Sequence, residues 1–416
     1  MTTIVKAKYL ISNPEKCIEN GAVAIKGPKI HRVGTFDDIR MLTNIDKIID
    51  LGNAVILPGL INIHTHLDLT NFHGRIKPTS NFTHWVFQLV GARIRWSAAD
   101  YTASTEKGIR FCIEAGTTTV ADIANTEYSF SALKKSPLRK VVYKEVIDLN
   151  PDHARDVITK IQSELSVYES DDLFHTGLSP HAPYSVSKEL YQVVAQFSRQ
   201  TGIPVCTHIA ETQDEIEFLT KGTGNFPGFL RQLRAMPANW QPSGLTPIQY
   251  LKGTGILDNR PLLIHCNYVT DEEISAIKSA SASVAFCPRS HQFFGHAQHP
   301  VHRLLSAGVN VGLGTDSLAS NDTLSILDEM KFLFLHYDLS PETILSMATV
   351  NGAKALGLEL HVGQIKEGFR ADLCGIRLPD FHSKDIYHQI FSADSKNIFT
   401  MVSGVVCYQA SSPEML

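Results

Sequence analysis

The chain has 416 residues, of which 43% are hydrophobic and 19% charged, so it can form a large α/β domain with a smaller appendage. The formal net charge of −4, without a basic block, argues against nucleic acid as a partner. No apolar run reaches transmembrane length, the start is not signal-like, and the seven cysteines form no Cys-x-x-Cys pair. We therefore expect a cytoplasmic protein without membrane contact.

Short strands separated by turn residues are predicted at both ends of the chain. Residues 1–57 contain an apolar strand at 4–11 and a strand pair at 47–56, and residues 361–416 contain a hairpin-like pair at 398–407. A few such strands cannot bury both of their faces alone. The sequence therefore predicts one small β-sandwich built from residues 1–57 and 361–416 together.

Residues 58–360 alternate between apolar strand candidates and segments with helical period, which is typical of βα units. Eight parallel units of this kind close into a (β/α)8 TIM barrel, whose active sites lie at the C-terminal ends of the strands. The eight predicted strands are residues 60–63, 117–120, 141–147, 175–179, 205–207, 262–264, 283–286 and 309–313.

Side chains that bind metals follow these predicted strands. The first strand ends in His64-Thr-His66, and because strand side chains alternate, both imidazoles face the same way and suit a metal such as zinc. An isolated His-x-His pair is more often a surface feature. Here polar residues recur at one strand end after another, which favours a shared site; they are Asp122, His181, His208 with Glu211, His265, His291 and Asp316.

These motifs together resemble the amidohydrolase superfamily, and the resemblance spans nearly the whole chain. Its specific parts are Pro58-Gly-Leu-Ile-Asn-Ile-His64-Thr-His66, Gly116-Thr-Thr-Thr-Val-Ala-Asp122, His208 with Glu211, His265 and Asp316. Within the superfamily the chain is similar to the branch that holds S-adenosylhomocysteine and methylthioadenosine deaminases, guanine deaminase, aminodeoxyfutalosine deaminases and triazine hydrolases.

The resemblance implies one divalent metal ion per chain, held by His64, His66, His208 and Asp316. Zinc is the expected ion, with iron and manganese as alternatives, and such an ion lowers the pKa of its bound water to about 7. Binuclear members of the superfamily carry a carboxylated lysine after strand four, where this chain has Ser179-Pro-His181. Lys144 lies in the third strand, and we expect it to be salt-bridged or exposed.

In the related deaminases, the glutamate that matches Glu211 protonates the ring nitrogen beside the attacked carbon. Residues that match His265 and Asp316 bind the attacking water and transfer its proton. The resemblance therefore implies catalytic roles for Glu211, His265 and Asp316. The alternative for Glu211 is a carboxylate that only stabilises a helix N-terminus.

The substrate-binding residues implied by the resemblance begin with His181, which would lie near the ribose or, alternatively, only fix its loop. Trp85 matches a family tryptophan, but the glutamate that precedes it in S-adenosylhomocysteine deaminases, and binds the ribose hydroxyls, is His84 here. Ser317, directly after Asp316, is also predicted to contact substrate.

The segment after the seventh strand, Cys287-Pro-Arg289-Ser-His291, departs from the form common in adenosine-type relatives. Arg289 offers a planar fork for a carboxylate, and His291 adds a second substrate-binding candidate. Aminodeoxyfutalosine carries a benzoate, so this segment favours that substrate. The alternative is that Arg289 anchors its own loop through backbone carbonyls.

The sequence therefore predicts a metal-dependent deaminase of an aminopurine nucleoside, with aminodeoxyfutalosine deamination in menaquinone biosynthesis as the favoured reaction. Adenosine-type, S-adenosylhomocysteine, methylthioadenosine or guanine deamination and triazine hydrolysis are the alternatives, and a non-catalytic scaffold is the alternative of another class. A small molecule is the expected partner, and a homodimer is left open. The insertion at residues 220–254 is predicted to be a lid or an oligomer contact.

Overall fold

A computed structural model describes residues 1–77, 79, 81–379 and 385–411 of the chain. Residues 380–384 and 412–416, which belong to the predicted C-terminal part of the sandwich, lie outside the described residues. The strands are β1 Thr2–Asn13, β2 Lys16–Lys26, β3 Lys29–Thr35, β4 Ile45–Asp50, β5 Ala54–Pro58, β6 Leu60–Thr65, β7 Thr117–Ala124, β8 Arg139–Val146, β9 Phe174–Pro180, β10 Cys206–Ile209, β11 Leu262–His265, β12 Ser283–Phe286, β13 Asn310–Leu313, β14 Leu373–Arg377, β15 Lys396–Val402 and β16 Val405–Gln409.

The helices follow most of the central strands, as the predicted βα pattern requires. They are α1 Phe36–Ile39, α2 Phe82–Arg93, α3 Ala98–Glu114, α4 Glu127–Lys135, α5 Ala154–Leu165, α6 Lys188–Thr201, α7 Gln213–Lys221, α8 Phe226–Gln232, α9 Pro247–Thr254, α10 Asp271–Ser279, α11 Pro288–Phe293, α12 Val301–Ser306, α13 Ile326–His336, α14 Pro341–Ala348, α15 Val350–Ala355 and α16 Ile386–Ile390.

Helix α6 illustrates how the sequence defines these helices. The hydroxyl of Ser187 accepts a hydrogen bond from the Leu190 N–H at the N-terminus, and Gly202 ends the helix with φ +76°. Leu190 and Val194 lie on its buried face, four residues apart, and belong to the large apolar cluster between strands and helices. The helix therefore packs against the central strands through one apolar stripe.

The two chain ends form one continuous eight-stranded sheet in the order β16-β15-β14-β5-β1-β2-β3, with β4 also beside β1. The prediction of a strand pair at residues 47–56 is wrong in its pairing, because β4 and β5 each pair with β1 in parallel, β4 along its first half and β5 along its second. Strand β1 has 12 residues, which leaves room for two partners end to end. Strand β14 pairs with β5 and so joins the chain ends.

All eight predicted central strands are present, in two parallel four-stranded sheets, β6-β7-β8-β9 and β10-β11-β12-β13. Single parallel bridges join the two sheets at both edges, Leu178 with Val205 and Thr65 with Asp316, so the strands form a closed ring of eight. An apolar cluster inside the ring brings together side chains of several strands, among them Tyr143, Cys206 and Ile264. The C-terminal strand ends therefore meet around one opening.

A buried ion pair connects the ring to the terminal sheet. Arg139 at the start of β8 donates from Nε to Oδ2 of Asp372 at 2.9 Å, and both side chains are at most 3% exposed. A second guanidinium nitrogen donates to the Ser403 hydroxyl at 3.0 Å. The two parts of the molecule thus share a charged contact that water does not reach. Within the described ranges, no helix is long and apolar enough to cross a membrane.

Candidate active site

Four histidines and one aspartate converge at the C-terminal opening of the ring. Nε2 of His66 lies 3.3 Å from Nε2 of His208, and Nε2 of His64 lies 3.5 Å from Oδ1 of Asp316. Ligand atoms lie within 4.8 Å of one another in two overlapping groups, His64 with His66 and His208, and His64 with His265 and Asp316. The structure thus brings together all four residues that the sequence analysis assigned to the metal, with His265 beside them.

Neighbouring groups orient these donor atoms towards one point. The Nδ1 of His208 donates to the His181 carbonyl at 2.9 Å, so its Nε2 carries no hydrogen. Ser290 and Ser320 donate to Oδ2 of Asp316 at 2.8 and 2.7 Å, which leaves Oδ1 facing the histidines. His64 is 1% exposed, and neither of its ring nitrogens has a hydrogen-bond partner among the described residues. Buried polar atoms are normally paired, so this arrangement fits a bound cation.

The electrostatics of the cluster favour the ligating forms. Burial and the neighbouring His64 lower the pKa of His66 to about 3, and burial with His181 lowers that of His208 well below its ordinary value. Burial acts to raise the pKa of Asp316, but the surrounding imidazoles hold it well below its usual range. Neutral imidazoles and an ionised carboxylate are the forms that bind a divalent ion.

Several strand ends around the opening have left-handed backbone conformations that non-glycine residues seldom adopt. The φ angles are +49° at Ala210, +74° at His265 and +59° at Asp316. The amide of Asn267 donates to the Glu211 carbonyl at 2.9 Å and thereby joins the segments after β10 and β11. Such strain persists where surrounding contacts hold it, and it occurs often at functional sites.

Glu211 and His265 form a pair on the same opening. Oε1 of Glu211 lies 3.4 Å from Nε2 of His265, and both side chains are 6% exposed. Burial, with the nearby carboxylates of Asp316 and Glu215, raises the pKa of Glu211 well above its ordinary value. A carboxyl group with a raised pKa can hold and deliver a proton near neutral pH.

Comparison with known proteins identifies the family. The amidohydrolase family model matches residues 55–407. The chain belongs to the amidohydrolase family. A 5-methylthioadenosine/S-adenosylhomocysteine deaminase of Halothermothrix orenii is 30% identical over 417 residues, which cover 95% of this chain and 90% of the relative.

Two solved structures share this amidohydrolase fold. An adenosine deaminase of Xanthomonas campestris with bound zinc has a TM-score of 0.86 at 23% identity and covers 98% of this chain and 93% of its own. The aminofutalosine deaminase of Helicobacter pylori, in complex with methylthio-coformycin, has a TM-score of 0.84 at 25% identity and covers 97% and 99%. The chain is thus a metal-dependent amidohydrolase, a hydrolytic aminohydrolase that acts on carbon–nitrogen bonds.

Several substrate-side residues predicted from the amidohydrolase resemblance lie close to the cluster. The ring of His181 lies 4.9 Å from that of His208, and its Nδ1 is 2.6 Å from the Ser185 hydroxyl. His291 is 7% exposed, and its Nε2 has no hydrogen-bond partner among the described residues. The Ser317 hydroxyl instead accepts from the Ala319 N–H at 3.2 Å, so it supports the turn after β13.

Arg289 is placed differently from the sequence expectation. Its Nε donates to Oδ1 of Asp322 at 3.1 Å, and Nη2 contacts the same oxygen. The guanidinium also lies 5.9 Å from the ring centre of Phe332. The guanidinium group that was predicted to bind a substrate carboxylate is thus already paired with a carboxylate of the chain, 33 positions away. Among the described residues, the Arg289 guanidinium donates no hydrogen bond to a backbone carbonyl, which was the alternative.

Aromatic residues pack the rim loops of the amidohydrolase ring against one another. Trp85 in α2 donates from Nε1 to the Ala319 carbonyl at 3.1 Å and lies 5.1 Å, edge to face, from Phe294. Phe226, from the insertion at residues 220–254, stacks on Tyr184 at 4.2 Å. The insertion therefore packs on the rim as part of an apolar cover.

Several charged residues at this opening were missed in the sequence analysis. Asp68 and Arg93 form an ion pair of 3.5 Å, and Glu215 accepts from two backbone N–H groups beside the catalytic candidates. Glu145 at the end of β8 was passed over because the strand ends in apolar residues. Lys144, in contrast, pairs with Glu164 at 3.0 Å, which confirms the expectation that it is salt-bridged.

Proposed function

We propose that this amidohydrolase is a hydrolytic deaminase of a 5′-substituted adenine nucleoside, of the methylthioadenosine and S-adenosylhomocysteine type. The observation that carries the proposal is the convergence of the metal-binding cluster with the Glu211–His265 pair at one buried opening. The name of the Halothermothrix orenii relative supports the substrate class.

The proposed metal ligands are His64, His66, His208 and Asp316, with zinc as the expected ion and iron or manganese as alternatives. The orphaned His64 nitrogens and the close approach of His66 to His208 support this set. A divalent ion held there supplies hydroxide at neutral pH. We further propose that residues 58–360 form the (β/α)8 barrel around it and residues 1–57 with 361–416 the β-sandwich.

Side chains of the chain would carry out the proton transfers. His265 and Asp316 accept the proton of the attacking water, while Glu211 donates a proton to the ring nitrogen beside the attacked carbon. After water has added to that carbon, the proton taken up by His265 and Asp316 passes to the amino group, which leaves as ammonia. The remaining hydroxyl proton returns to Glu211, and the aminopurine becomes the corresponding oxopurine. The apolar rim limits access of bulk water during these steps.

Aminodeoxyfutalosine, the substrate favoured by the sequence, is the second candidate. The likeness to the Helicobacter pylori aminofutalosine deaminase supports it. The ion pair between Arg289 and Asp322 counts against it, because a benzoate would have to displace a carboxylate of the chain. Adenosine-type nucleosides need no such exchange, which is why we place them first.

A turnover screen tests this proposal. The metal-loaded protein is offered methylthioadenosine, S-adenosylhomocysteine, adenosine, aminodeoxyfutalosine, guanine and a triazine, and ultraviolet change and ammonia release are followed. We expect the adenine nucleosides to be deaminated and activity to disappear with a chelator and return with zinc. Preference for aminodeoxyfutalosine would show that the proposed substrate is wrong and that the proposed mechanism can stand. Turnover of none of the purines by protein with bound metal would refute the proposal.

A further inference from the structure

We propose that Glu145 is a specificity-determining residue that accepts hydrogen bonds from hydroxyl groups of the substrate sugar. This inference rests on the proposed function, because it concerns the nucleoside bound at the same opening.

Side chains of β8 point alternately outwards and inwards, and Glu145 lies at an inward-facing position. Val142 belongs to the apolar layer between strands and helices, and Lys144 pairs with Glu164 of α5, so these two side chains face outwards. Val141 and Tyr143 belong to the cluster inside the ring. Because successive strand side chains alternate, Glu145 follows them on the inner face, one residue before the strand ends.

The register of the strands places Glu145 beside the predicted substrate-binding histidine. Glu145 pairs with Ser179 of β9, and two residues further on the His181 N–H donates to the Val146 carbonyl at 3.0 Å. The charge of Glu145 acts on the His181 imidazole and on Arg93 at the same opening. The carboxylate therefore lies near the C-terminal end of β8, at the end of the ring where His181 follows β9.

The carboxylate of Glu145 can accept further hydrogen bonds. The Asn125 amide donates to its Oε2 at 2.9 Å. Among the described residues, no other hydrogen bond to it is present and no cation lies within ion-pair distance. A partly buried carboxylate with an unused oxygen can accept bonds from neutral hydroxyl groups, and such charge-assisted bonds are stronger than neutral ones.

The test compares Glu145→Gln and Glu145→Ala with Glu164→Gln, a control that removes a carboxylate on the outer side of the ring, where Glu164 pairs with Lys144. The substrates are adenosine and 2′,3′-dideoxyadenosine, which differ only in the sugar hydroxyls. We expect Glu145→Ala to raise the KM for adenosine at least tenfold, with kcat and metal content close to the parent. For dideoxyadenosine the parent and the variant should differ less than threefold, and Glu145→Gln should be intermediate.

Equal losses with both nucleosides, or no loss with adenosine, would overturn the inference. The first result would assign Glu145 a structural role or a role as a charge partner of Arg93. Equilibrium binding of both nucleosides to the metal-loaded parent and variants gives the same comparison without turnover. Failure of deamination therefore refutes the proposed function, while failure of the hydroxyl dependence in binding refutes the role of Glu145.

Discussion

Replacement of Glu215 by glutamine should disable the site, although the side chain of Glu215 acts only through the backbone that positions Glu211. The carboxylate of Glu215 is fully buried and accepts hydrogen bonds from the N–H groups of Ala210, at 3.0 Å, and Glu211, at 2.9 Å. It thereby holds the left-handed turn at Ala210 that directs Glu211 towards His265. Burial raises the pKa of Glu215 to about 7, which the backbone donors oppose.

The magnitude follows from the two hydrogen bonds. Glutamine keeps one acceptor oxygen but presents an NH2 group to the second N–H, so one bond to a charged group is lost and one buried donor is left unpaired. Together these changes cost about 3–5 kcal/mol of stability. A displacement of about 1 Å at a reacting group lowers the rate about 100-fold, and we expect a loss in kcat of that order.

The assay measures kcat, KM, metal content and the melting temperature of Glu215→Gln beside Glu217→Gln, a control on the same helix whose side chain is partly exposed. We expect Glu215→Gln to bind metal and to keep KM within threefold while kcat falls. The control should behave like the parent protein. Parent values of both kcat and melting temperature in Glu215→Gln would refute the positioning role.

Three further changes have defined outcomes. Glu211→Gln should keep its metal and lose at least 100-fold in kcat, because the proton donor is gone; turnover at the parent rate would contradict that role. Asp372→Ala removes the buried carboxylate beside Arg139 and leaves the guanidinium only the partly exposed Asp172, at 3.8 Å, so it should lower the free energy of unfolding by about 3 kcal/mol in denaturant titrations, with kcat unchanged. Burial raises the pKa of Glu329 from 4.5 to about 8, so this residue should lower the stability of the parent as pH rises through this range, by at most about 1.4 kcal/mol per pH unit, beside the contributions of Glu211 and Glu215. Glu329→Gln should lack this loss, and a stability difference that does not change with pH would contradict the assignment.

The sequence was sufficient for the strands and the metal-binding cluster because both depend on local pattern. Each strand of the ring is a short apolar run, and the donors His64, His66 and Asp316 stand directly after such runs. Pairing of the strands into a closed ring then brings their C-terminal ends together whatever the details of the loops. The chemistry of the site could therefore be predicted before its geometry was known.

Contacts between distant loops could not be predicted in the same way. Arg289 pairs with Asp322 across 33 positions, and no periodicity links the two residues. The two backbone hydrogen bonds to Glu215 depend on the left-handed turn at Ala210. A turn of this kind is not predicted from the sequence where the residue is not glycine. Glu145 could have been found, because the alternation of β8 separates it from the outward-facing Lys144.

The ring consists of two halves, each a continuous parallel sheet, that meet at two seams where the strand pairing is reduced to a single bridge and a few further hydrogen bonds. The donors divide between these halves, with His64 and His66 on the first and His208 and Asp316 on or directly after strands of the second. An ion bound by all four would therefore act as a cross-link between the halves of the barrel. Loss of the metal would then loosen the assembly of the whole ring, so that heat resistance and catalytic competence would depend on the same four side chains.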